Sequence, residues 1–247
     1  FLLGARMIRE AQGKLKLVDI APEVPGALEA IDYFVSQGVT VAAYHTNANF
    51  EEANRGIDHG ITVATHLMNV MTGLHHRDVG TAGACILRDE VDCELICDGL
   101  HVCLPMVQLI MKMKAHDRIM MVSDNGAFLG APTGHYRGGQ KNKGTDREVL
   151  EVTEEGFVLS KTGRLSGSSK PVIYGIANLV EKLGMPLEEV VRMSSLNPAR
   201  KYGLDSKGEL SVGKDFDAAV IDDDYQVVCT WVEGRKVFDR QHDAIPF

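Results

Sequence analysis

The sequence lacks the features that would place it in a membrane, on a nucleic acid or outside the cell. No run reaches the roughly 18 consecutive apolar residues of a membrane-spanning helix. The apolar part of the opening segment, FLLGARMIRE, is too short for a convincing signal peptide. A net charge of -8, from 34 acidic and 26 basic residues, argues against general binding to nucleic acids or anionic membranes. We therefore expect a cytoplasmic protein.

Cysteine is scarce as well, and its spacing argues against a disulfide framework or a cysteine metal site. The five cysteines are odd in number, and no two of them form a CxxC pair. A metal cluster of Cys93, Cys97 and Cys103 can be imagined, but buried small hydrophobic residues fit their apolar surroundings better. We interpret all of the cysteines as reduced cytosolic thiols: Cys85, Cys93, Cys97, Cys103 and Cys229.

What the sequence does contain is a repeated alternation of strand-like and helix-like segments. With 247 residues, 45% of them hydrophobic, it is long enough for one large α/β domain and an appendage. Five segments rich in β-branched residues are separated by segments with helical periodicity. The predicted strands cover residues 15–21, 39–45, 61–66, 91–97 and 118–122. This alternation is typical of a parallel sheet that is covered by helices.

The number of strands predicts part of a barrel. A closed (β/α)8 barrel has eight strands, and this sequence shows five. We predict the later part of such a barrel over residues 1–204, with a hairpin excursion at residues 131–162. Residues 163–169 are expected to form a turn. Residues 205–247 alternate between strands and turns, which is typical of a segment of a small β subdomain.

Two neighbouring predicted strands end in histidine. The segments VTVAAYHTNAN and ITVATHLMNVM reach His45 and His66 one strand–helix repeat apart. The carboxyl ends of parallel strands meet at one edge of a sheet, where α/β folds build their active sites. A lone histidine in such a place is more often structural, but a pair at matching positions favours a metal half-site. Zn, Fe, Co and Ni all suit two imidazoles.

Two further residues follow strand ends. Asp124 can take a proton from an activated water and later protonate a leaving amine, or it can cap the glycine-rich turn that follows it. His101 can polarise a carbonyl or hold a substrate hydroxyl, or it can be an ordinary loop residue. We favour catalysis for Asp124 because it follows the same edge of the sheet as the histidine pair.

A basic cluster and one glutamate complete the candidates. His75, His76 and Arg77 are adjacent in an acidic protein, and a guanidinium suits a phosphate group because it binds in a bidentate manner. The alternative is a solvated loop, which is our interpretation of His75 and His76. Glu23 follows the first strand and could either complete a metal site with two histidines or orient a neighbouring residue.

These motifs carry a resemblance to one family. The sequence resembles the N-acetylglucosamine-6-phosphate deacetylases of the amidohydrolase superfamily in YHTNAN, THLMNVM, GLHHRDVGTAGA, ICDGLHV, MVSDN, GRLSGSS, MSSLNPAR and GELSVGKDFDAAVIDDD. The motifs occur in the family's order over nearly the whole chain, and as a set they are specific. The last of them taken alone would indicate only an amidohydrolase.

The resemblance implies a metal-dependent hydrolase with a barrel fold that removes acetate from the sugar phosphate. It implies that His45 and His66 bind a divalent metal, with Zn preferred, and that Asp124 is the catalytic acid and base. It further implies a set of substrate-binding residues: Asn69, Val70, Arg77, His101, Leu165, Ser166 and Gly167. The expected partner is a small sugar phosphate, and no nucleic acid or membrane. Exposed sheet edges and the resemblance together lead us to expect a homo-oligomer, a dimer.

The sequence departs from the family pattern in three places. The family usually has Gly where Tyr44 stands and Ala where Val70 stands. Its carboxylate ligand comes from a Glu-Gly-Pro motif on an earlier strand, and that motif is absent from this sequence. We therefore expect a fragment or a truncated gene product. Two alternatives stay open: an amidohydrolase that acts on a cyclic amide or nucleobase, and a non-catalytic chain that requires a partner.

Overall fold

The central sheet contains five parallel strands whose order in space equals their order along the chain. The computed structural model describes residues 2–138 and 149–243. The strands are β1 (Leu17–Ile20), β2 (Thr40–Ala43), β3 (Ile61–Ala64), β4 (Asp92–Ile96) and β5 (Ile119–Val122). Each strand pairs in parallel with the next, so all the carboxyl ends lie at one edge. The predicted alternation of strands and helices is confirmed.

Helices precede the sheet and connect its strands. They are α1 (Leu2–Ala11), α2 (Ala27–Ser36), α3 (Phe50–Asp58), α4 (Gly80–Leu87) and α5 (Leu104–Met113). Local sequence explains where two of them begin. At the start of α3, Asn49 and Glu52 form a capping box in which each side chain accepts a hydrogen bond from the other's backbone N–H. Pro105 lies in the first turn of α5, where its missing N–H costs no helical hydrogen bond.

The hydrophobic core lies mainly between the sheet and these helices. On β2, Val41 and Ala43 belong to the main core, whereas Ala42 packs on the other face of the sheet with Val63 and Met120. Alternate residues of a strand point to opposite faces, so this division follows directly from the strand conformation. Because both faces bury apolar residues, the strands appear in the sequence as nearly continuous hydrophobic runs.

Three short helices follow later in the chain. They are α6 (Val172–Ala177), α7 (Leu187–Val191) and α8 (Asn197–Lys201), with π-helical turns at Asn178–Lys182 and Arg192–Leu196. The side-chain amide of Asn197 donates to the carbonyl groups of His116 and Ile119, which joins α8 to the start of β5. Within residues 2–138 and 149–243, no helix combines the length and apolarity needed to cross a bilayer.

Two antiparallel sheets account for the other strands. One contains β6 (Gly134–Arg137), β7 (Val149–Val152), β8 (Phe157–Ser160) and β9 (Leu165–Ser168), and the other contains β10 (Ala218–Ile221), β11 (Val227–Val232) and β12 (Arg235–Asp239). The predicted turn at residues 163–169 is wrong for most of its length, because β9 pairs with β8. Part of the predicted excursion, residues 139–148, lies outside the described residues. The fold is a partial (β/α) barrel with antiparallel sheets, as predicted; the division of the chain at residue 204 stays a prediction.

Candidate active site

The candidate residues occupy matching positions after neighbouring strands. His45 is the second residue after β2, His66 the second after β3, Asp98 the second after β4 and Asp124 the second after β5. Because the strands are parallel and adjacent, this common offset brings four polar side chains to one edge of the sheet. The sequence pattern predicted three of these positions, and Asp98 is the fourth.

A cavity of about 570 Å³ opens at this edge. Every predicted site residue except Arg77 lines it, so the cavity is bounded by His45, His66, Asn69, Val70, His101, Asp124, Leu165, Ser166 and Gly167. Two residues that the site prediction did not include, Tyr44 and Arg164, also line it. Each of them directly precedes a predicted site residue, and this adjacency was the only indication in the sequence that they belong to the site.

The backbone at the site adopts a left-handed conformation that glycine adopts freely and that other residues, apart from Asn, Asp and His, adopt rarely. The φ angles of His45, His66 and Asp124 are 41°, 36° and 49°. Met68 and Val70, in the loop after His66, also have positive φ, at 79° and 48°. Non-glycine residues in this left-handed region are strained by about 1–3 kcal/mol each, and such strain concentrates at functional sites. Five of the eight non-glycine residues with positive φ in the described chain therefore lie at this site or in the loop after His66.

The two imidazole rings lie side by side. The ring centroids of His45 and His66 are 5.1 Å apart, and Tyr44 stacks on His45 at 3.7 Å with an interplanar angle of 11°. His66 is only 3% exposed, and its Nδ1 makes no hydrogen bond within the described residues. A buried polar atom without a partner is rare because its desolvation is not compensated. An imidazole nitrogen in this state fits a metal ligand.

The surroundings of His45 favour its neutral form, which is the form that binds metals. Burial lowers the pKa of the His45 imidazole, and positive charge on the neighbouring His66 lowers it further. The carboxylates of Asp124 and Asp19 oppose this shift without reversing it.

The described residues supply two candidate histidine ligands and no complete ligand set. Within the described residues, no group of three His, Cys, Asp or Glu side chains is close enough to hold a metal ion. The cysteines do not take this role: Cys93 and Cys97 are buried, whereas Cys103 is exposed, contrary to its predicted burial. Burial raises the pKa of the Cys93 thiol to about 12, so the thiol stays protonated near neutral pH.

His101 is held in one orientation by a buried carboxylate. Its Nδ1 lies 2.8 Å from Oδ2 of Asp98, and the other oxygen of Asp98 accepts backbone N–H groups of Leu100 and His101. Burial alone would raise the pKa of Asp98, but these hydrogen bonds lower it below its ordinary value. An ionised carboxylate can only accept, so Nδ1 of His101 carries the proton and Nε2 is left for a ligand.

The remaining walls come from the loop after β3 and from β9. The amide of Asn69 donates to the carbonyl groups of His66 and Leu67, which fixes this loop beside the histidine pair. Val70 is 65% exposed. Gly167 has a φ of 134°, which a residue with a side chain would adopt only with strain.

Arg77 is not among the residues that line the cavity. It lies in an exposed turn in which its backbone N–H donates to Nδ1 of His75 at 3.3 Å. The ring centroids of His75 and His76 are 4.1 Å apart in the same turn. Its role in holding a phosphate therefore stays a prediction.

A comparison with known protein families identifies the class to which a protein with this fold and this site belongs. Residues 27–237 match the Amidohydrolase family, and this match covers most of the chain. The protein therefore belongs to the amidohydrolase family, and the superfamily that its motifs predicted is confirmed.

Named relatives are more specific. An N-acetylglucosamine-6-phosphate deacetylase from Lysinibacillus sphaericus is 34% identical over 90% of this chain and 55% of the relative. An N-acetylgalactosamine-6-phosphate deacetylase from Escherichia coli is 33% identical over 93% of this chain and 59% of the relative. This chain thus spans a little over half the length of the curated relatives it matches.

A solved structure shows the same relationship. An N-acetyl-D-glucosamine-6-phosphate deacetylase mutant from Mycobacterium smegmatis, in complex with N-acetyl-D-glucosamine-6-phosphate, is similar with a TM-score of 0.85 at 31% identity. The similarity covers 94% of this chain and 60% of that chain.

Proposed function

We propose that this chain carries the catalytic residues of a metal-dependent deacetylase acting on N-acetylglucosamine 6-phosphate. The products are glucosamine 6-phosphate and acetate, a step of amino-sugar catabolism. The observation that carries the proposal is the buried Nδ1 of His66, which has no hydrogen-bond partner among the described residues and lies beside His45 at the cavity. The names of the similar proteins supply the substrate class.

His45 and His66 are the residues that would hold the metal, and Zn is the divalent ion we expect there. When bound, such an ion supplies Lewis-acid polarisation of the amide carbonyl and activates water. The protein's own part is to hold the two imidazoles side by side and to favour the neutral form of His45. Burial and the mutual influence of the two rings favour the neutral form of His45.

Asp124 is the proton carrier in this proposal. Its carboxylate takes a proton from the attacking water and delivers it to the amide nitrogen as the C–N bond breaks. Without that proton the leaving group would be a strongly basic amide anion. General acid–base catalysis of this kind contributes about 10²- to 10⁴-fold to a rate.

His101 and the cavity walls orient the substrate. Its Nδ1–H donates a hydrogen bond to Asp98, so His101 presents Nε2 to the sugar hydroxyls and the amide of the substrate. Asn69, Val70 and the segment at residues 165–167 line the space for the sugar, and Arg77 is proposed to bind the phosphate.

The second candidate substrate differs by one stereocentre. The Escherichia coli relative is named for N-acetylgalactosamine 6-phosphate, and its identity to this chain is 33% against 34% for the Lysinibacillus relative. The two sugars carry the same acetamido and phosphate groups, so the residues assigned above serve either one.

Acetate release from Zn-loaded protein tests the proposal. Both sugar phosphates and a cyclic amide are supplied to the 247-residue chain and to its Asp124→Asn variant. We expect release from a sugar phosphate at a rate well above that of the variant. Equal release by the two proteins, with Zn bound to both, would contradict the deacetylase. Hydrolysis of the cyclic amide releases no acetate and is followed by chromatography of the ring-opened product; turnover of this substrate alone would favour the alternative amidohydrolase function.

A further inference from the structure

Glu23 reaches across from the end of β1 to the backbone that follows His45. Its Oε2 accepts the hydroxyl of Thr46 at 2.5 Å, and its Oε1 accepts the backbone N–H of Asn47 at 2.7 Å. Both oxygens of the carboxylate are therefore engaged by the two residues directly after the candidate metal ligand. Within the described residues, these two are the only hydrogen bonds of the Glu23 carboxylate.

Thr46 also links Glu23 to the segment that follows β3. It is 1% exposed, and its hydroxyl also accepts the backbone N–H of Ala48 at 3.0 Å. Its backbone N–H donates to the carbonyl of Val70, and Thr46 and Met71 form an isolated parallel bridge. One network of hydrogen bonds thus joins the carboxyl ends of β1, β2 and β3.

The network encloses the strained part of the site. His45 and Val70 both have left-handed backbone, with φ of 41° and 48°. His45 directly precedes Thr46, and the carbonyl of Val70 accepts the backbone N–H of Thr46. Residues in this conformation persist only where their surroundings over-determine it. Removing the anchor would let the turn relax toward ordinary φ values and would turn the imidazole of His45 away from that of His66.

We propose that Glu23 is a positioning residue that sets the orientation of His45 through Thr46, and thereby the affinity of the histidine pair for a divalent metal. This inference rests on the proposed function, because it assigns the carboxylate to that metal site. It assigns both oxygens of Glu23 to the residues after His45 and not to the metal.

Metal affinity of the intact 247-residue chain is the appropriate readout. Competition with a chromophoric chelator would measure the affinity for Zn, independently of any activity. We expect Glu23→Ala to weaken Zn binding by about 10- to 100-fold, the usual effect of losing a residue that orients a ligand. Glu23→Gln keeps one carbonyl acceptor and should lose less. Glu29→Ala, an exposed glutamate on α2, is the matched control and should change nothing.

A double-mutant cycle tests the route through Thr46. Thr46→Val removes the hydroxyl with little change of shape. If Glu23 acts through Thr46, the double variant Glu23→Ala/Thr46→Val should lose no more affinity than the more affected single variant. Fully additive losses would overturn this route.

Other outcomes separate the possible failures. If Glu23→Ala binds Zn with unchanged affinity, Glu23 has only a structural role and the inference is overturned. This holds whether or not the midpoint of thermal unfolding of the variant falls. A complete loss of Zn in both Glu23→Ala and Glu23→Gln would make it a ligand and also overturn the inference. His66→Ala is run in parallel: if it binds Zn normally, the proposed function fails, whereas loss of Zn in His66→Ala alone rejects only the role of Glu23.

Discussion

At the amino-terminal edge of the central sheet, Asp92 is 2.7 Å from the ammonium of Lys201, whereas at the carboxyl-terminal edge His66 keeps a buried nitrogen without a partner in the described chain. Asp92 also lies 3.4 Å from Arg118, and Lys201 donates to the carbonyl of Thr62. The polar groups at the amino-terminal edge are thus compensated by protein partners. They hold α8 against the sheet.

The carboxyl-terminal edge has the opposite character. His45, His66 and Asp124 have strained backbone, and two imidazoles that would repel each other when charged lie side by side. Such an arrangement lowers stability unless something outside the described chain compensates it. We interpret this contrast as a division in which one edge serves mainly stability and the other mainly function, as in parallel α/β barrels. Variants at the two edges should therefore have different phenotypes.

The largest effect is expected from Asp124→Asn. The amide cannot accept the proton of the attacking water, so the rate of acetate release should fall by about 10²- to 10⁴-fold. The bound Zn and the free energy of unfolding should change little, because Asp124 is exposed and Asn tolerates left-handed backbone. Steady-state acetate release together with elemental analysis measures both. A fall in metal content equal to the fall in rate would assign Asp124 to the metal and not to proton transfer.

Metal binding separates the histidine pair from the cysteines. His66→Ala should lose most of the bound divalent metal, because it removes one of two imidazole ligands. Cys93→Ser should retain the metal, since this thiol is buried and protonated. Elemental analysis of the purified variants after metal loading is the measurement. Equal loss in both variants would contradict the assignment to the carboxyl-terminal edge.

Phosphate recognition tests how far the functional edge extends. Arg77→Ala should raise KM for the 6-phosphate by about ten- to several hundred-fold, since charge-assisted contacts contribute about 1.5–3 kcal/mol. KM for unphosphorylated N-acetylglucosamine should change far less. Arg164→Ala is the informative companion because Arg164, unlike Arg77, lines the cavity. A phosphate-specific effect in Arg164→Ala alone would move this role from Arg77 to Arg164.

The amino-terminal edge should show the reverse phenotype. Asp92→Asn leaves Lys201 without its buried anionic partner, and breaking such a pair costs about 3 kcal/mol. Urea denaturation should show this loss, while Zn affinity stays within about twofold of the wild type. Asp124→Asn, at the other edge, is the control and should leave the urea midpoint nearly unchanged. If Asp92→Asn lowered the affinity for Zn together with the stability, the two edges of the sheet would not have separate roles.

The smallest effect concerns a carboxyl inside the sheet. Burial raises the pKa of Glu94, the hydrogen bond from Tyr202 opposes the shift, and the carboxylate of Asp19 adds to it. A carboxyl whose pKa is higher in the folded state binds more protons when folded, so its stability contribution is lost as pH rises from about 4.3 through the folded value. Glu94→Gln should therefore slightly raise the free energy of unfolding at pH 8. The gain should vanish toward pH 4, and a gain independent of pH would contradict this origin.

Residue pattern predicted the alternation of strands and helices and the clustering of three candidate residues, whereas most of the substrate-binding residues came from the family resemblance. The strands before His45, His66 and Asp124 are apolar and β-branched, and their alternation with helices requires a parallel sheet whose carboxyl ends meet. The predicted strands ran as far as His45 and His66, whereas β2 and β3 end two residues earlier. This difference does not change the edge of the sheet at which the side chains meet. The prediction worked because strand propensity and the rules for parallel connections are local properties.

The contacts around those residues became known only from the three-dimensional structure. The contact of Glu23 with Thr46, the stacking of Tyr44 on His45 and the position of Arg77 outside the cavity could not be obtained from spacing. The strand at Leu165–Ser168 was likewise hidden, because its glycine- and serine-rich sequence has no strand propensity and is held by pairing with β8. These features depend on register and on side-chain packing between segments distant in sequence. Their energies come from partners that a local pattern does not specify.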